Sequence, residues 1–130
     1  NLIDKQVAQV IQAFHHHPSI QEVDLSSNKC RSDGMDALVQ LLETTKLSKL
    51  AMGSQAFWGA QRIDLRSLSA TLATNTCLKD LELGGNSLRD EPDMPFLVRA
   101  LCVSDTLEIL DLSENRFTNK GIAMLAEHLG

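Results

Sequence analysis

No stretch of this sequence stays apolar for more than a few residues, so direct membrane insertion as a helix is not expected. Near the start no basic region leads into a hydrophobic segment, and a secretory leader is not expected either. Cysteine is scarce and odd in number. Cys30, Cys77 and Cys102 share no paired spacing, which points to reduced thiols in a cytosolic or nuclear setting, of which the cytoplasmic one is expected here. A basic excess is missing as well, since 17 acids stand against 12 lysines and arginines for a net charge of −5. Chains that displace counterions from phosphate carry the opposite sign, so neither nucleic acid nor anionic lipid is an expected partner. There is no glycine-rich phosphate loop, no serine or cysteine beside an orienting base and no metal-ligand spacing, so no cofactor, metal or catalysis is expected.

What is present is enough chain for one domain, 130 residues that are 43% hydrophobic with a mean hydropathy of −0.09. Such a length buries a core without help from disulfides or metal. Within it one string recurs: IQEVDLSSNKC from Ile20, LSKLAMGSQAF from Leu47, LKDLELGGNSL from Leu78 and LEILDLSENRF from Leu107. The starts lie 27, 31 and 29 residues apart and align as LxxLxLxxNxL. The chain therefore divides into a half unit over 1–19 and units over 20–46, 47–77, 78–106 and 107–130, all in a single domain. Because it starts and stops inside a unit, it is expected to be a fragment of a longer array or to have its ends covered by a partner.

Alternation within the string predicts a short strand in each unit, with Val23 and Leu25, Leu50 and Met52, Leu81 and Leu83, and Leu110 and Leu112 turned inward as stacked columns. Where the chain leaves the strand, a buried amide supplies both a donor and an acceptor to backbone groups that have lost their ladder partners. Asn28, Asn86 and Asn115 are placed for that work. Gln55 replaces the asparagine in the second unit and predicts a locally distorted turn.

A helix is expected after each turn. Asp33 and Gly34 precede one carrying Met35, Leu38 and Leu42. Leu65, Leu68 and Leu72 carry the next. A third starts near Asp93, because Pro92 and Pro95 fit only a first turn, and it turns Leu97 and Leu101 inward. The last follows Asn119 to Gly121 and carries Ile122, Leu125 and Leu129. Near the start, Leu2 stands in the place of Cys30, and Val7, Val10 and Phe14 form a helix face.

These units resemble leucine-rich repeats of the ribonuclease-inhibitor type, a class that includes ribonuclease inhibitor, the sensor regions of NOD-like receptors, Ran GTPase-activating proteins, tropomodulin and the CARMIL actin regulators. The resemblance implies an α/β fold, a curved solenoid arc with parallel strands on the concave face and α-helices on the convex face. LSKLAMGSQAFWGAQRIDLRSLSATLA followed by LEILDLSENRFTNKGIAMLAEHL is similar to late CARMIL repeats, which include one lengthened unit. That likeness implies a protein-interaction scaffold, with actin-cytoskeleton regulation as its setting. A fragment of a Ran-type GTPase-activating protein or of a NOD-like-receptor sensor is the alternative it implies.

The register then marks the concave positions: Gln21, Glu22, Asp24, Ser26 and Ser27; Ser48, Lys49, Ala51, Gly53 and Ser54; Lys79, Asp80, Glu82, Gly84 and Gly85; Glu108, Ile109, Asp111, Ser113 and Glu114. Seven are acids and two are lysines, a net −5 on one face. Like charges on neighbouring strands repel, which is unfavourable unless a basic protein partner requires them; the same charge also serves an ordinary solvated surface. The candidate partner-binding residues are Glu22, Asp24, Lys49, Asp80, Glu82, Glu108, Asp111 and Glu114. Lys29, Arg31, Arg89, Arg116 and Lys120 follow the amide column, interrupted by Asp33, Asp90, Glu91 and Asp93, which reads as a mixed-sign surface. His15 to His17 end a helix and favour its dipole over a metal, and Trp58 is placed to cover the edge of the core.

Overall fold

A computed structural model describes residues 2–17, 19–55 and 63–129. Trp58 and most of the long connection of the second unit lie outside the described residues.

The chain alternates strand and helix: α1 (Asp4–Phe14), β1 (Glu22–Asp24), α2 (Ser32–Thr44), β2 (Lys49–Ala51), α3 (Leu65–Leu72), β3 (Asp80–Glu82), α4 (Asp93–Val103), β4 (Ile109–Asp111) and α5 (Asn119–Leu129). The four strands form one parallel sheet in sequence order. Val23 pairs with Leu50, Leu50 with Leu81 and Leu81 with Leu110, so the expected column is one row across neighbouring strands. This is the α/β solenoid arc in which each strand–helix coil packs only on its neighbours.

The core lies between sheet and helices. Leu25, Leu50, Met52, Leu81 and Leu83 are all within 3% of full burial, and Leu38, Leu41 and Leu68 meet them from the helices. Leu110 and Leu112 are only half-buried, because β4 is the edge of the sheet and has a neighbouring coil on one side. For the same reason Ile122 and Leu129, expected on an inner helix face, are 51% and 59% exposed, and Leu125 is half-buried.

Helix starts differ from the sequence expectation. α2 begins at Ser32 and α5 at Asn119, so Asp33, Gly34 and Gly121 lie inside first turns. α4 starts at Asp93 as expected. In α1 the buried face is Val7, Ala8 and Ile11, while Val10 and Phe14 are half-buried; Ile11 lies four residues after Val7, one helical turn on. In α4 the buried apolar positions are Met94, Leu97, Val98 and Ala100, with Leu101 half-buried.

The amides tie the coils together. Asn86 donates through Nδ2 to the Leu83 carbonyl of its own coil at 3.0 Å and to the Met52 carbonyl of the preceding coil at 2.9 Å. Asn115 repeats the arrangement on the Leu112 and Leu83 carbonyls, whereas Asn28 donates to the Leu25 carbonyl of its own coil and meets the coil before by accepting from Leu2 N at 2.8 Å. Gln55 does the same work, with Nε2 on the Leu25 carbonyl and Oε1 accepting from Cys30 N at 3.1 Å. The expected distortion is absent from the described part of its turn. Ser54 ahead of it is left-handed (φ 56°), as Ser27 (61°), Gly85 (69°) and Glu114 (53°) are ahead of the asparagines.

Candidate functional site

The outward strand residues form two rows. Glu22, Lys49, Asp80 and Ile109 align in one, and Asp24, Ala51, Glu82 and Asp111 in the other. Neighbouring strands are ~4.8 Å apart, so four of them present a face about 15 Å wide between outer axes. Ala51 corrects the sequence expectation of exposure: it is only 3% exposed, because its short side chain lies between the longer ones of Asp24 and Glu82. Ile109, at 57% exposure, puts an apolar side chain at the β4 end of an otherwise polar row.

Charge on this face is partly compensated at its centre. Lys49 Nζ lies 3.3 Å from Glu82 Oε1 and 3.8 Å from Asp80 Oδ2. The hydrogen bond and charge of Glu82, with the charge of Asp80, hold the Lys49 ammonium above its ordinary pKa. At such exposure the pair contributes little to stability. Asp80 Oδ1 is buried with no hydrogen-bond partner, so the compensation is incomplete. Among the described residues, Glu22, Asp24, Glu108, Asp111 and Glu114 have no ion-pair partner within 4.0 Å.

Two of those acids are held in place by their own turns. Asp24 Oδ1 accepts from Ser26 N at 2.9 Å and Asp111 Oδ1 from Ser113 N at 2.8 Å. The Ser26 backbone bond leads in lowering the Asp24 pKa, and the Ser113 side-chain bond leads for Asp111. Both carboxylates are thereby fixed in the charged form, facing outward beside a flat floor. Gly53 and Gly84 supply that floor, for a Cβ at Gly53 would stand 3.3 Å from the Gly84 carbonyl oxygen.

On the rim after the amides some of the charged residues are tied into the fold, while Asp33 and Glu91 are exposed among the cations. Arg31 is engaged, donating from Nη1 to the carbonyls of Cys30 at 3.0 Å and Gln55 at 2.9 Å. Asp93 is buried and accepts from Arg89 N. Lys29, Arg89, Arg116 and Lys120 are exposed, and the backbones of Arg89 and Arg116 pair as an isolated parallel bridge between adjacent coils. His15 caps the end of α1, its backbone N–H on Gln12, and its Nε2 lies 3.3 Å from the Ala37 carbonyl.

Sequence reasoning missed an inter-coil contact. Asp4 Oδ1 accepts from Arg31 N and Gly34 N, both at 2.7 Å, and Oδ2 from Asp33 N at 3.0 Å. Asp90 does the same for the coil after it through Thr118 and Gly121. In both cases an acid of one coil caps the helix start of the next, where the exposed N–H groups and the dipole favour an anion. The signal was an offset: Asp90 comes four residues after Asn86, and Gly34 and Gly121 come six after Asn28 and Asn115.

Among the described residues no helix is long and apolar enough to cross a membrane. Compared with known families, residues 16–39, 74–91 and 103–126 match the family model described as Leucine Rich repeat. Each matched stretch contains one of the three asparagines, and the Gln55 turn falls between them.

Proposed function

Since the chain belongs to the leucine-rich repeat family, whose model covers half of its length, we propose that it is a protein-interaction module that receives a basic protein surface on its concave strand face. Leucine-rich repeat domains generally mediate protein–protein interaction and are typically not enzymes. The observation that carries the reading is the register that puts Asp24 and Asp111 in one row with Glu82, two of them fixed as carboxylates and without a partner cation. A preorganised charge costs little further ordering on binding, and a field of one sign steers an oppositely charged partner and rejects acidic ones. The face is small for a high-affinity interface, so binding here is weak and salt-sensitive unless further repeats extend it.

The finer setting follows from the resemblance of the second and fourth units to CARMIL repeats of the ribonuclease-inhibitor type: a cytoplasmic scaffold in actin-cytoskeleton regulation. Nucleic acid is not among the proposed partners, given the net charge of −5.

The test is titration of a lysine- and arginine-rich peptide against the wild type, an Asp24→Lys/Asp111→Lys variant, and an Asp36→Lys/Glu43→Lys variant with the same change in net charge on exposed positions of α2. Affinity is expected to fall about tenfold or more in the first variant and little in the second. Equal losses in both would mean that net charge, rather than the strand face, attracts the peptide.

A further inference from the structure

The carboxylates of the strand face are not equivalent. Asp24 and Asp111 are tied to Ser26 N and Ser113 N at 2.9 and 2.8 Å, so their oxygens hold fixed positions. Glu22, Glu108 and Glu114 are exposed on longer side chains and carry no such tie among the described residues. Between the two aspartates the same row holds Ala51 and Glu82. Ala51 is 3% exposed and brings no charge. Glu82 is already occupied, with Lys49 Nζ 3.3 Å from its Oε1. In the neighbouring row Lys49 also meets Asp80 Oδ2 at 3.8 Å, and the other Asp80 oxygen is buried, out of a partner's reach. The chain's own ammonium shows what chemistry these acids take, and it removes the two central ones from use.

What is left in the row is one fixed charge, two strands without a free charge, and a second fixed charge. Three strand spacings of ~4.8 Å put the strands of Asp24 and Asp111 about 14 Å apart. An extended peptide laid across them advances ~3.3 Å per residue and turns every second side chain to one face, so residues i and i+4 stand about 13 Å apart. Residues i and i+2 stand about 7 Å apart and i and i+6 about 20 Å, and neither span matches. The ground between lets a main chain come close, because Gly53 and Gly84 have no side chain and that of Ala51 is buried.

Resting on the strand-face reading above, we propose that the face selects an extended peptide with two basic side chains four residues apart, and that Lys49 sets this spacing as a built-in cation on the central acids.

Titration calorimetry of the chain with three end-blocked threonine peptides tests the spacing. Each peptide carries two diaminobutyrate residues, at i and i+2, i and i+4 or i and i+6, whose short amine arms leave the span to an extended backbone. The wild type is expected to bind the i, i+4 peptide about fivefold tighter than the other two, the worth of one exposed ion pair. Lys49→Met frees Glu82, one strand from Asp111 and two from Asp24, which brackets the shortest span. The i, i+2 peptide is therefore expected to gain about fivefold in that variant and to match the i, i+4 peptide. Lys79→Met removes an exposed lysine that makes no ion pair among the described residues, and should leave the preference as it is. A wild type indifferent to spacing overturns the proposal, and so does a preference that survives in Lys49→Met or closes equally in Lys79→Met. The Asp24→Lys/Asp111→Lys variant judges the strand face separately. Binding lost there, with spacing ignored by the wild type, removes the spacing rule alone; binding that persists there, or no binding to the wild type at all, removes both.

Discussion

Gln55 and Asn86, 31 residues apart in sequence, meet through a 2.7 Å hydrogen bond from the Gln55 backbone N–H to Asn86 Oδ1. Both side chains are fully buried. Asn86 N in turn donates to Asn115 Oδ1 at 2.9 Å, so each amide serves the coil before it and is served by the coil after. The ladder closes backbone groups at the turn that neither sheet nor helix reaches.

Asn86→Leu keeps the side-chain shape and removes the bonds made by the Asn86 side chain, while the backbone bond from Asn86 N to Asn115 Oδ1 stays. It leaves Gln55 N and the Met52 carbonyl without their amide partner in a buried site. Each orphaned group costs about 1–3 kcal/mol, so a loss of about 3 kcal/mol or more is expected as a lowered midpoint in urea unfolding. Asn115→Leu should cost less, because Asn115 is half-buried and water reaches some of its partners. Equal costs would mean that burial does not set the strength of the ladder.

Gly34→Ala sets two effects against each other. Alanine in a helix interior is favoured over glycine by about 1 kcal/mol. Here the added Cβ would lie 2.8 Å from Cys30 Sγ and 2.9 Å from Asp4 Oδ1, and neither atom moves without breaking a packed or capped contact. Overpacking of this kind costs about 1–3 kcal/mol and also displaces Asp4, so a net loss in thermal stability is expected. Combined with Asp4→Ala, the glycine substitution should cost less than it does alone, since the space it needs is then open.

The strand columns and amide positions are legible in the sequence because alternation has a period of two and tolerates no slip: Val23, Leu50, Leu81 and Leu110 had to share a row once the strings were aligned. The acids of the face follow from the same register. What was not legible lies in contacts between coils. Gly34 and Gly121 read as lying ahead of a helix, whereas they sit inside its first turn, where Asp4 and Asp90 arrive from a neighbouring coil. Ala51 reads as exposed by alternation alone, and only the height of its neighbours hides it. The ion pairs of Lys49 with Asp80 and Glu82 of the next strand were likewise not legible, since they depend on how far its side chain reaches.

The cysteines should separate by reactivity. Cys30 is fully buried, and desolvation first, then the Asp4 charge, pushes its thiol up to about 12. Cys77 is half-buried and Cys102 exposed. Alkylation of the folded chain at pH 8 is expected to mark Cys102 first, Cys77 more slowly, and Cys30 only on unfolding. Labelling of Cys30 at the rate of Cys102 in native buffer would contradict the packing around it.

Acid should weaken the fold through specific carboxylates of the concave face, against a general relief of repulsion there. Protonating a face with seven acids removes like-charge repulsion and on its own would stabilise the chain as pH falls. Asp24 and Asp111, however, are held below the ordinary 3.8 by bonds from Ser26 and Ser113, which means that their charged forms gain more from the fold than they lose to their neighbours. Asp90 is lowered in the same direction, first by the Thr118 hydroxyl. A group depressed on folding contributes stability that is present above its unfolded value and is lost as pH falls through its folded one. The melting temperature is therefore expected to hold down to about pH 4 and to decline below it. Asn at positions 24 and 111 keeps an acceptor for each serine N–H but does not titrate, so Asp24→Asn/Asp111→Asn should lose less stability below pH 4 than the wild type. At the alkaline end the sign reverses. Lys49, raised by Glu82 and then Asp80, contributes stability present below its ordinary 10.5 and lost above the raised value, so Lys49→Met should remove that part of the alkaline decline. A wild-type melting temperature that rises between pH 4 and pH 2 would mean that repulsion across the rows outweighs the serine bonds, and would reverse this ranking of the two effects.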